Sequence, residues 1–279
     1  MTTVSTDDGI KLSYRLDDFT PPWIEDKDKE TVFMHHGFAR NMKWWTLMVP
    51  RLSIKYRVLR LDARGCGESR VRQKGVTWSA ERLLKDVVSL LGYLGIEKIH
   101  WVGESSGGMV GLLFVANHSD RIKSLTLINT PLKFPDEMAR TYAQGYSDPA
   151  TAIETLGFKE WVAHTMGRRI DRSGMGQVTN WFRLEQSKTP TQVAAAFMRI
   201  FQSVDFTDKL SEIKVPTLFL MGERNLNVPS EQLSLMRQQM PDLKIVVFKD
   251  AGSGIVLLQP ERCTEELLNF LGTAAPRKL

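Results

Sequence analysis

The residue with the clearest chemical potential is Ser105, the centre of the pattern Gly-Glu-Ser-Ser-Gly over residues 103–107. An apolar run precedes it and a run of small and apolar residues with helical spacing follows it, so the pattern predicts a nucleophile on a tight strand-to-helix turn. Such a turn strains the serine backbone and places it at a helix N-terminus, where a developing oxyanion is stabilised. The alternative is a packing turn of small residues without chemistry. The predicted strand and helix on either side favour the nucleophile.

Chemistry at a serine also needs two donors aimed at the developing oxyanion. His36-Gly37-Phe38 follows a predicted strand at its carboxyl end, where open α/β sheets place their ligand sites. We therefore expect the backbone N–H groups of Phe38 and Ser106 to form an oxyanion hole. For the side chain of His36 we favour a structural role in shaping the turn.

The elements that must position these residues alternate between strand and helix. An N-terminal hairpin over residues 4–15 turns at Asp8-Gly9. The other predicted strands cover residues 31–35, 56–61, 98–102, 122–128, 215–222 and 244–248. The predicted helices cover residues 44–52, 78–94, 109–117, 229–239 and 260–271. This order is typical of an α/β protein whose mostly parallel sheet has crossover connections.

Between two core segments, residues 1–131 and 207–279, the pattern of residues 132–206 becomes helical. Placed between core strands, this insertion is expected to lie over Ser105 as a lid. Its aromatic side chains would supply apolar walls for a substrate. The candidates are Trp161, Trp181, Phe182 and Phe201. For any single one of them, packing of the lid onto the core is the simpler interpretation.

Composition limits the classes of partner. The 279 residues carry a formal charge of +5 and are 42% hydrophobic. Because no run of Lys and Arg exceeds a dipeptide such as Arg168-Arg169, nucleic-acid binding has little support. The absence of a leader pattern or a long apolar run predicts a cytoplasmic protein that does not bind membranes. Cys66 and Cys263 are far apart and predict reduced thiols, and no metal or other cofactor is expected. The expected partner is a small molecule, with the oligomeric state open.

These residues together resemble the α/β-hydrolase family, in particular its small lid-bearing esterases and lactonases of the 3-oxoadipate enol-lactonase type. The resemblance rests on His36-Gly37 and on residues 62–69, 103–108 and 205–210, which follow the family's order and spacing. Residues 62–69, Asp-Ala-Arg-Gly-Cys-Gly-Glu-Ser, are interpreted as a structural loop that braces the strand-to-helix turn at Ser105. The resemblance implies an α/β-hydrolase fold and hydrolysis of a small ester or lactone through an acyl-Ser105 intermediate, with serine, acid and histidine in that chain order.

The chain departs from the family at both partners of the serine. Asn225 stands where the resemblance implies the acid, and Ser253 stands where it implies the histidine; the last histidine of the chain is His164. A serine hydroxyl is neither a base near neutral pH nor a stable proton carrier. The sequence therefore predicts a poor hydrolase that retains the residual acceleration of binding and an oxyanion hole.

Three explanations stay open at this point. Ser253 is a deliberate replacement that traps a complex of an otherwise active enzyme, although Asn225 is then a second change that trapping does not need. Otherwise the chain is a natural binding or sensing protein, or an enzyme that uses the oxyanion hole for cyclisation, elimination or decarboxylation. Glu223 or Asp250 could orient a restored histidine. His35, His36 and His164 are weak candidates for the missing base.

Overall fold

The fold is centred on one eight-stranded sheet in the computed structural model, which describes residues 2–73, 75–170 and 176–274. The strands are β1 Thr2–Ser5, β2 Lys11–Asp17, β3 Thr31–His35, β4 Arg57–Leu61, β5 Ile99–Glu104, β6 Ile122–Ile128, β7 Thr217–Gly222 and β8 Leu243–Phe248. Their order is β1-β2-β4-β3-β5-β6-β7-β8. The pairs β1–β2 and β2–β4 are antiparallel and the other neighbours are parallel, so the predicted α/β class, its mostly parallel sheet and the N-terminal hairpin are confirmed.

Helices cover both faces of the sheet. They are α1 Val49–Ser53, α2 Ala80–Tyr93, α3 Ser106–His118, α4 Asp136–Ala143, α5 Pro149–Leu156, α6 Phe158–Arg169, α7 Gly176–Gln186, α8 Thr191–Gln202, α9 Ser230–Gln239, α10 Ile255–Leu258 and α11 Pro260–Ala274. In the part of the chain that the structure describes, no helix is both long and apolar enough to cross a bilayer. Cys66 and Cys263 are buried free thiols.

The helix predicted over residues 44–52 is wrong in one respect, because the structure divides it. A 3₁₀ turn, Met42–Trp45, is capped by the Asn41 side chain, which accepts a hydrogen bond from the Lys43 N–H. The α-helix begins only at Val49. Pro50 lacks the N–H that a continuous helix would need at this point, and proline is tolerated in the first turn of a new helix.

The central strands are buried on both faces, as expected for a parallel sheet covered by helices. Every residue of β3, β5 and β7 is buried, and the apolar core forms one cluster on each side of the sheet. The carboxyl ends of β3, β5, β6 and β7 lie along one edge. The chain therefore brings four segments to that edge, namely those that begin at His36, Ser105, Asn129 and Glu223.

The predicted insertion lies between β6 and β7 and contains α4 to α8. Its two ends meet, because the Phe206 N–H donates to the Leu132 carbonyl at 3.1 Å and Lys133 forms an isolated bridge with Asp205. The helical segment thus leaves and re-enters the core at one place, near the carboxyl edge of the sheet.

Candidate active site

The strand-to-helix turn predicted at Ser105 is present between β5 and α3. Ser105 has φ 52° and ψ −119°, a left-handed conformation that L-residues other than glycine rarely adopt. Its N–H donates to the Ile128 carbonyl at 2.8 Å, which ties the turn to the end of β6. The side chain is half-buried rather than sealed inside the protein.

Close backbone approach explains two glycines of the turn. A Cβ at Gly103 would overlap the Gly107 carbonyl, and a Cβ at Gly107 would overlap the carbonyl oxygens of His35 and His36. Any side chain at either position would push α3 away from β5 or β3. The glycines on either side of Ser105 in the sequence pattern are therefore required by packing, and they fix the position of Ser105.

A cavity lies next to Ser105. Its lining includes Phe38, Arg40, Ser106, Asn227 and Phe201. The other lining residues are Met109, Pro131, Phe134, Met138, Tyr142 and Met198. Its volume is about 40 Å³, near that of a single water molecule and far below the roughly 300 Å³ of ordinary ligand sites. In this conformation, side chains from α4 and α8, among them Tyr142 and Phe201, leave little free space beside Ser105.

The loop that carries Phe38 is fixed by the ring of His36. The Ala63 N–H donates to Nε2 of His36 at 2.9 Å, so Nδ1 bears the proton and donates to the Gly37 carbonyl at 2.8 Å. Burial lowers the pKa of His36 to about 3. With both ring nitrogens occupied and the ring neutral, His36 holds the turn and has no capacity to accept a proton from Ser105.

His35 is similarly committed. Its Nδ1 lies 2.9 Å from the His36 carbonyl, its ring stacks on Trp101, and burial lowers its pKa to about 4. The third candidate base, His164, is exposed on α6 and lies 3.0 Å from Glu160. None of the three candidate histidines has a side chain in the lining of the Ser105 cavity.

The same loop is tethered to the helical insertion. Gln186, completely buried at the end of α7, donates from Nε2 to the Phe38 carbonyl at 2.8 Å. Thr189 donates to the carbonyl of Ala39, a residue held at φ 51°. These contacts were not foreseen from sequence, since residues 38 and 186 are 148 positions apart. They make the position of the Phe38 amide depend on the insertion.

A buried ion pair lies beside Ser105. Arg40, which lines the cavity, pairs with Glu104, the residue before Ser105. The Arg40 guanidinium also lies 3.8 Å from the centroid of the Trp44 ring. Glu104 is 1% exposed, so its charge is balanced inside the protein by Arg40. The sequence analysis assigned no role to either residue.

On the other side of the site, the two residues that depart from the family pattern, Asn225 and Ser253, are in contact. The Ser253 hydroxyl donates to Asn225 Oδ1 at 3.1 Å and accepts from Asn227 Nδ2 at 3.3 Å. The Asn227 N–H also donates to Asn225 Oδ1, at 2.7 Å. All three side chains are buried, and Asn227 alone of them lines the cavity with Ser105. The network therefore reaches the cavity through a residue that sequence reasoning missed.

Asn129, at φ 48° just after β6, completes this network. Its Oδ1 accepts from the Gly222 N–H at 3.1 Å, and its Nδ2 donates to the Ser253 carbonyl at 2.9 Å. These two backbone groups fix which way the amide points. Its Oδ1 then also accepts from Asn225 Nδ2 at 2.6 Å. The side chain at position 225 thus faces a hydrogen-bond acceptor, Asn129 Oδ1. An amide can donate to this oxygen, whereas a carboxylate has no donor and would be repelled by it.

The alternative acids lie outside the network. Glu223 and Asp250 are both exposed, and Glu223 accepts a hydrogen bond from the Asp250 N–H at 3.1 Å. Asp250 has a left-handed backbone, with φ 55°. Neither carboxylate bonds to Asn225 or Ser253, so the geometry gives no support to either as an orienter of a group at position 253.

Of the four aromatic residues proposed as substrate walls, the cavity lining includes Phe201. Trp161 is fully buried against the rings of Phe38 and Tyr142, and it donates from Nε1 to the Tyr142 carbonyl at 2.8 Å. Trp181 and Phe182 pack against Trp44, with ring centroids 6.5 and 5.1 Å apart. In this conformation these three residues hold the insertion onto the core, which is the simpler role considered for them.

Residues 62–69 brace the loops at Met42 and Asp8 and the helix α2, whereas the sequence analysis expected them to brace the turn at Ser105. Asp62 accepts from the Met42 and Glu68 N–H groups at 2.7 and 2.9 Å. Arg64, fully buried, bonds to Asp86 and Asp8. No group of three or more metal-ligating side chains occurs within residues 2–73, 75–170 and 176–274.

Comparison with known proteins identifies relatives of this chain. The model of the α/β hydrolase fold family matches residues 30–260. A pimeloyl-[acyl-carrier protein] methyl ester esterase from Aeromonas hydrophila is 27% identical over 252 residues, 85% of this chain and 93% of the relative. A 3-oxoadipate enol-lactonase from Acinetobacter baylyi is 28% identical over 231 residues, 81% and 83% of the two chains.

Among solved structures, the enol-lactonase from Burkholderia xenovorans superposes with a TM-score of 0.84. It is 23% identical, and the match covers 97% of this chain and 99% of that one. At this identity the likeness concerns the fold alone.

Proposed function

Because this chain belongs to the α/β-hydrolase family, we propose that it reacts with small esters or lactones through Ser105. The observation that carries the proposal is the strained Ser105 in one cavity with Phe38 and Ser106. By their names, the two curated relatives act on a methyl ester and an enol-lactone. Both substrates present a single carbonyl carbon that a serine hydroxyl can attack.

In the proposed reaction, Ser105 Oγ bonds to the substrate carbonyl carbon and the carbonyl electrons move onto its oxygen. The N–H groups of Phe38 and Ser106 stabilise that oxyanion. The bond to the leaving oxygen then breaks, and the leaving group takes up the proton that Ser105 has lost. Water finally hydrolyses the acyl-serine and restores the hydroxyl.

Proton transfer is the slow part of this scheme. A histidine would take the Ser105 proton and pass it to the leaving group. Ser253 occupies its position, and the Ser253 hydroxyl is engaged with Asn225 and Asn227. Since a hydroxyl is not a base near neutral pH, water must carry the proton and turnover is slow. In the proposal α4 to α8 form a lid that moves to admit the substrate.

A second candidate is a non-hydrolytic role, either as a small-molecule binder or as a cyclase or lyase that uses the oxyanion hole. The observation in its favour is the completeness of the neutral network, in which Asn129, Asn225, Asn227 and Ser253 satisfy one another. An active site that had merely lost one histidine would leave a polar partner without a hydrogen bond.

The test is to install a histidine at position 253, with and without Asn225→Asp, and to assay short-chain aryl esters and lactones. A rate gain of orders of magnitude in either variant, abolished by Ser105→Ala, supports the hydrolase. No gain in either variant, together with a native ligand found by mass spectrometry, rejects it in favour of the binder. Turnover of a carbonyl compound by the unaltered chain without addition of water points to the cyclase or lyase.

A further inference from the structure

A second cavity, about 630 Å³ in volume, lies away from Ser105 and shares no lining residue with the first. It is bounded by β2 and β4, by the loop after β4 and by the end of α7 with the residues that follow it. The volume falls within the range of small-molecule sites. Nothing in the proposed chemistry of Ser105 uses this cavity, here called the basic cleft.

The lining of the basic cleft is strongly cationic. Its basic residues are Arg15, Lys43, Arg60, Arg70, Arg72 and Lys188. Its acidic residues are Asp62, Glu68 and Glu185. The excess of cations is concentrated in one concave surface, although the net charge of the whole chain is only +5. Such a surface concentrates anions from solution.

Two of these arginines are directly opposite each other in the sheet. Arg15 on β2 and Arg60 on β4 are partners in the antiparallel register, and like charges at such a pair destabilise a sheet. Arg60 is buried and compensated, since it donates to Asp17 Oδ2 at 3.1 and 2.5 Å. Arg15 is exposed. Within residues 2–73, 75–170 and 176–274, neither Arg15 nor Arg72 has a carboxylate at ion-pair distance.

The acidic side chains of the basic cleft already have hydrogen-bond or ion-pair partners. Both oxygens of Asp62 accept backbone N–H groups, at 2.7 and 2.9 Å. Glu68 lies 3.5 Å from Arg70. Glu185 accepts from Asn41 at 2.9 Å and also pairs with Lys43 and Lys188. The charges of Arg15 and Arg72 are therefore left for a ligand.

We propose that the basic cleft binds a phosphorylated small molecule, with Arg15 and Arg72 as direct contacts to its phosphate oxygens. Guanidinium groups donate paired hydrogen bonds in a planar fork that matches a phosphate better than an ammonium group does. A phosphate bound in the basic cleft near the Arg15–Arg60 pair also offsets the repulsion between these two side chains. The cavity has room for an organic group attached to the phosphate.

The test is calorimetric titration of the full chain with inorganic diphosphate and with phenyl phosphate, at constant ionic strength. The double variant Arg15→Ala/Arg72→Ala removes the two proposed contacts. The matched control is Arg51→Ala/Arg237→Ala, which removes two exposed arginines from α1 and α9. We expect saturable binding of both probes, weakened about tenfold or more in the double variant and unchanged in the control.

A thermal melt tests whether the double variant is folded. Removal of Arg15 relieves a like-charge pair, so its Tm in buffer without phosphate should equal or exceed that of the unaltered chain, whereas the Tm increase caused by diphosphate should be lost. The proposal is overturned if neither probe saturates, or if both double variants lose binding equally. Saturable binding of a single-stranded oligonucleotide without binding of diphosphate would also overturn it, since the cleft would then be a nucleic-acid site.

Discussion

The two sides of the Ser105 site differ in how their polar groups are held. On the Ser105 side, the strained backbone at Ser105 and Ala39 is held by close contacts of glycine and by hydrogen bonds from distant elements. On the opposite side, Asn129, Asn225 and Ser253 form a neutral network of side chains that satisfies itself. In the proposed function the first side stabilises charge that appears during the reaction, and on the second side none of these three side chains is a base near neutral pH.

Under the proposed function, this contrast separates two chemical requirements. The oxyanion side needs only backbone N–H groups, which survive any change of side chain that preserves the turn. A base needs one specific side chain with a pKa near the working pH. The proposed function therefore divides into a retained part, binding and oxyanion stabilisation, and a lost part, proton transfer.

The largest expected effect is that of Ser253→His, which should raise kcat/KM and make it depend on pH. General acid–base catalysis should raise kcat/KM for an aryl ester by about 10²–10⁴-fold at neutral pH. The gain should disappear as pH falls below about 6.5, since the new imidazole is then protonated.

The unaltered chain should show no such inflection. Burial lowers the pKa of His35 to about 4 and that of His36 to about 3, so both stay neutral through pH 5–8. The measurement is the pH–rate profile of the two proteins. An inflection near neutral pH in the unaltered chain that survives replacement of the other three histidines, His100, His118 and His164, would contradict the assignment of His35 and His36 as structural.

A smaller effect is expected from position 225. In the Ser253→His background, Asn225→Asp should give no gain or a loss of up to about tenfold at pH 7, because the new carboxylate faces Asn129 Oδ1. Asn225 Oδ1 can already accept from an imidazole N–H and so orient it. The measurement is kcat/KM of the single and double variants with the same ester.

Asn129→Gly provides the control for this prediction. Glycine keeps the left-handed backbone of residue 129 and removes the opposing oxygen. In the triple variant the aspartate should recover the rate of Ser253→His or exceed it. If Ser253→His/Asn225→Asp is already tenfold faster than Ser253→His, the orientation assigned to the Asn129 side-chain amide is wrong.

How much of this the sequence could predict depends on the range of each interaction. The strands and the strand-to-helix turn at Ser105 follow from local patterns along the chain. The departures from the family at positions 225 and 253 follow from the resemblance to that family. The long-range partners do not. Asn129 bonds to a residue 96 positions away, and its only local sign is its place directly after a strand. Gln186 is one of many polar residues in a helical segment, and nothing local distinguishes it as buried.

The smallest expected effect tests that long-range tether. Gln186→Met preserves length and apolar packing but removes the donor to the Phe38 carbonyl. Since a buried hydrogen bond of this kind contributes about 1 kcal/mol, we expect kcat of the Ser253→His variant to fall about fivefold while KM changes little. Gln192→Met, at an exposed position on α8, is the matched control and should leave kcat unchanged. A fall in Tm with unaltered kcat would instead show that Gln186 only secures the insertion, and that the Phe38 amide keeps its position without it.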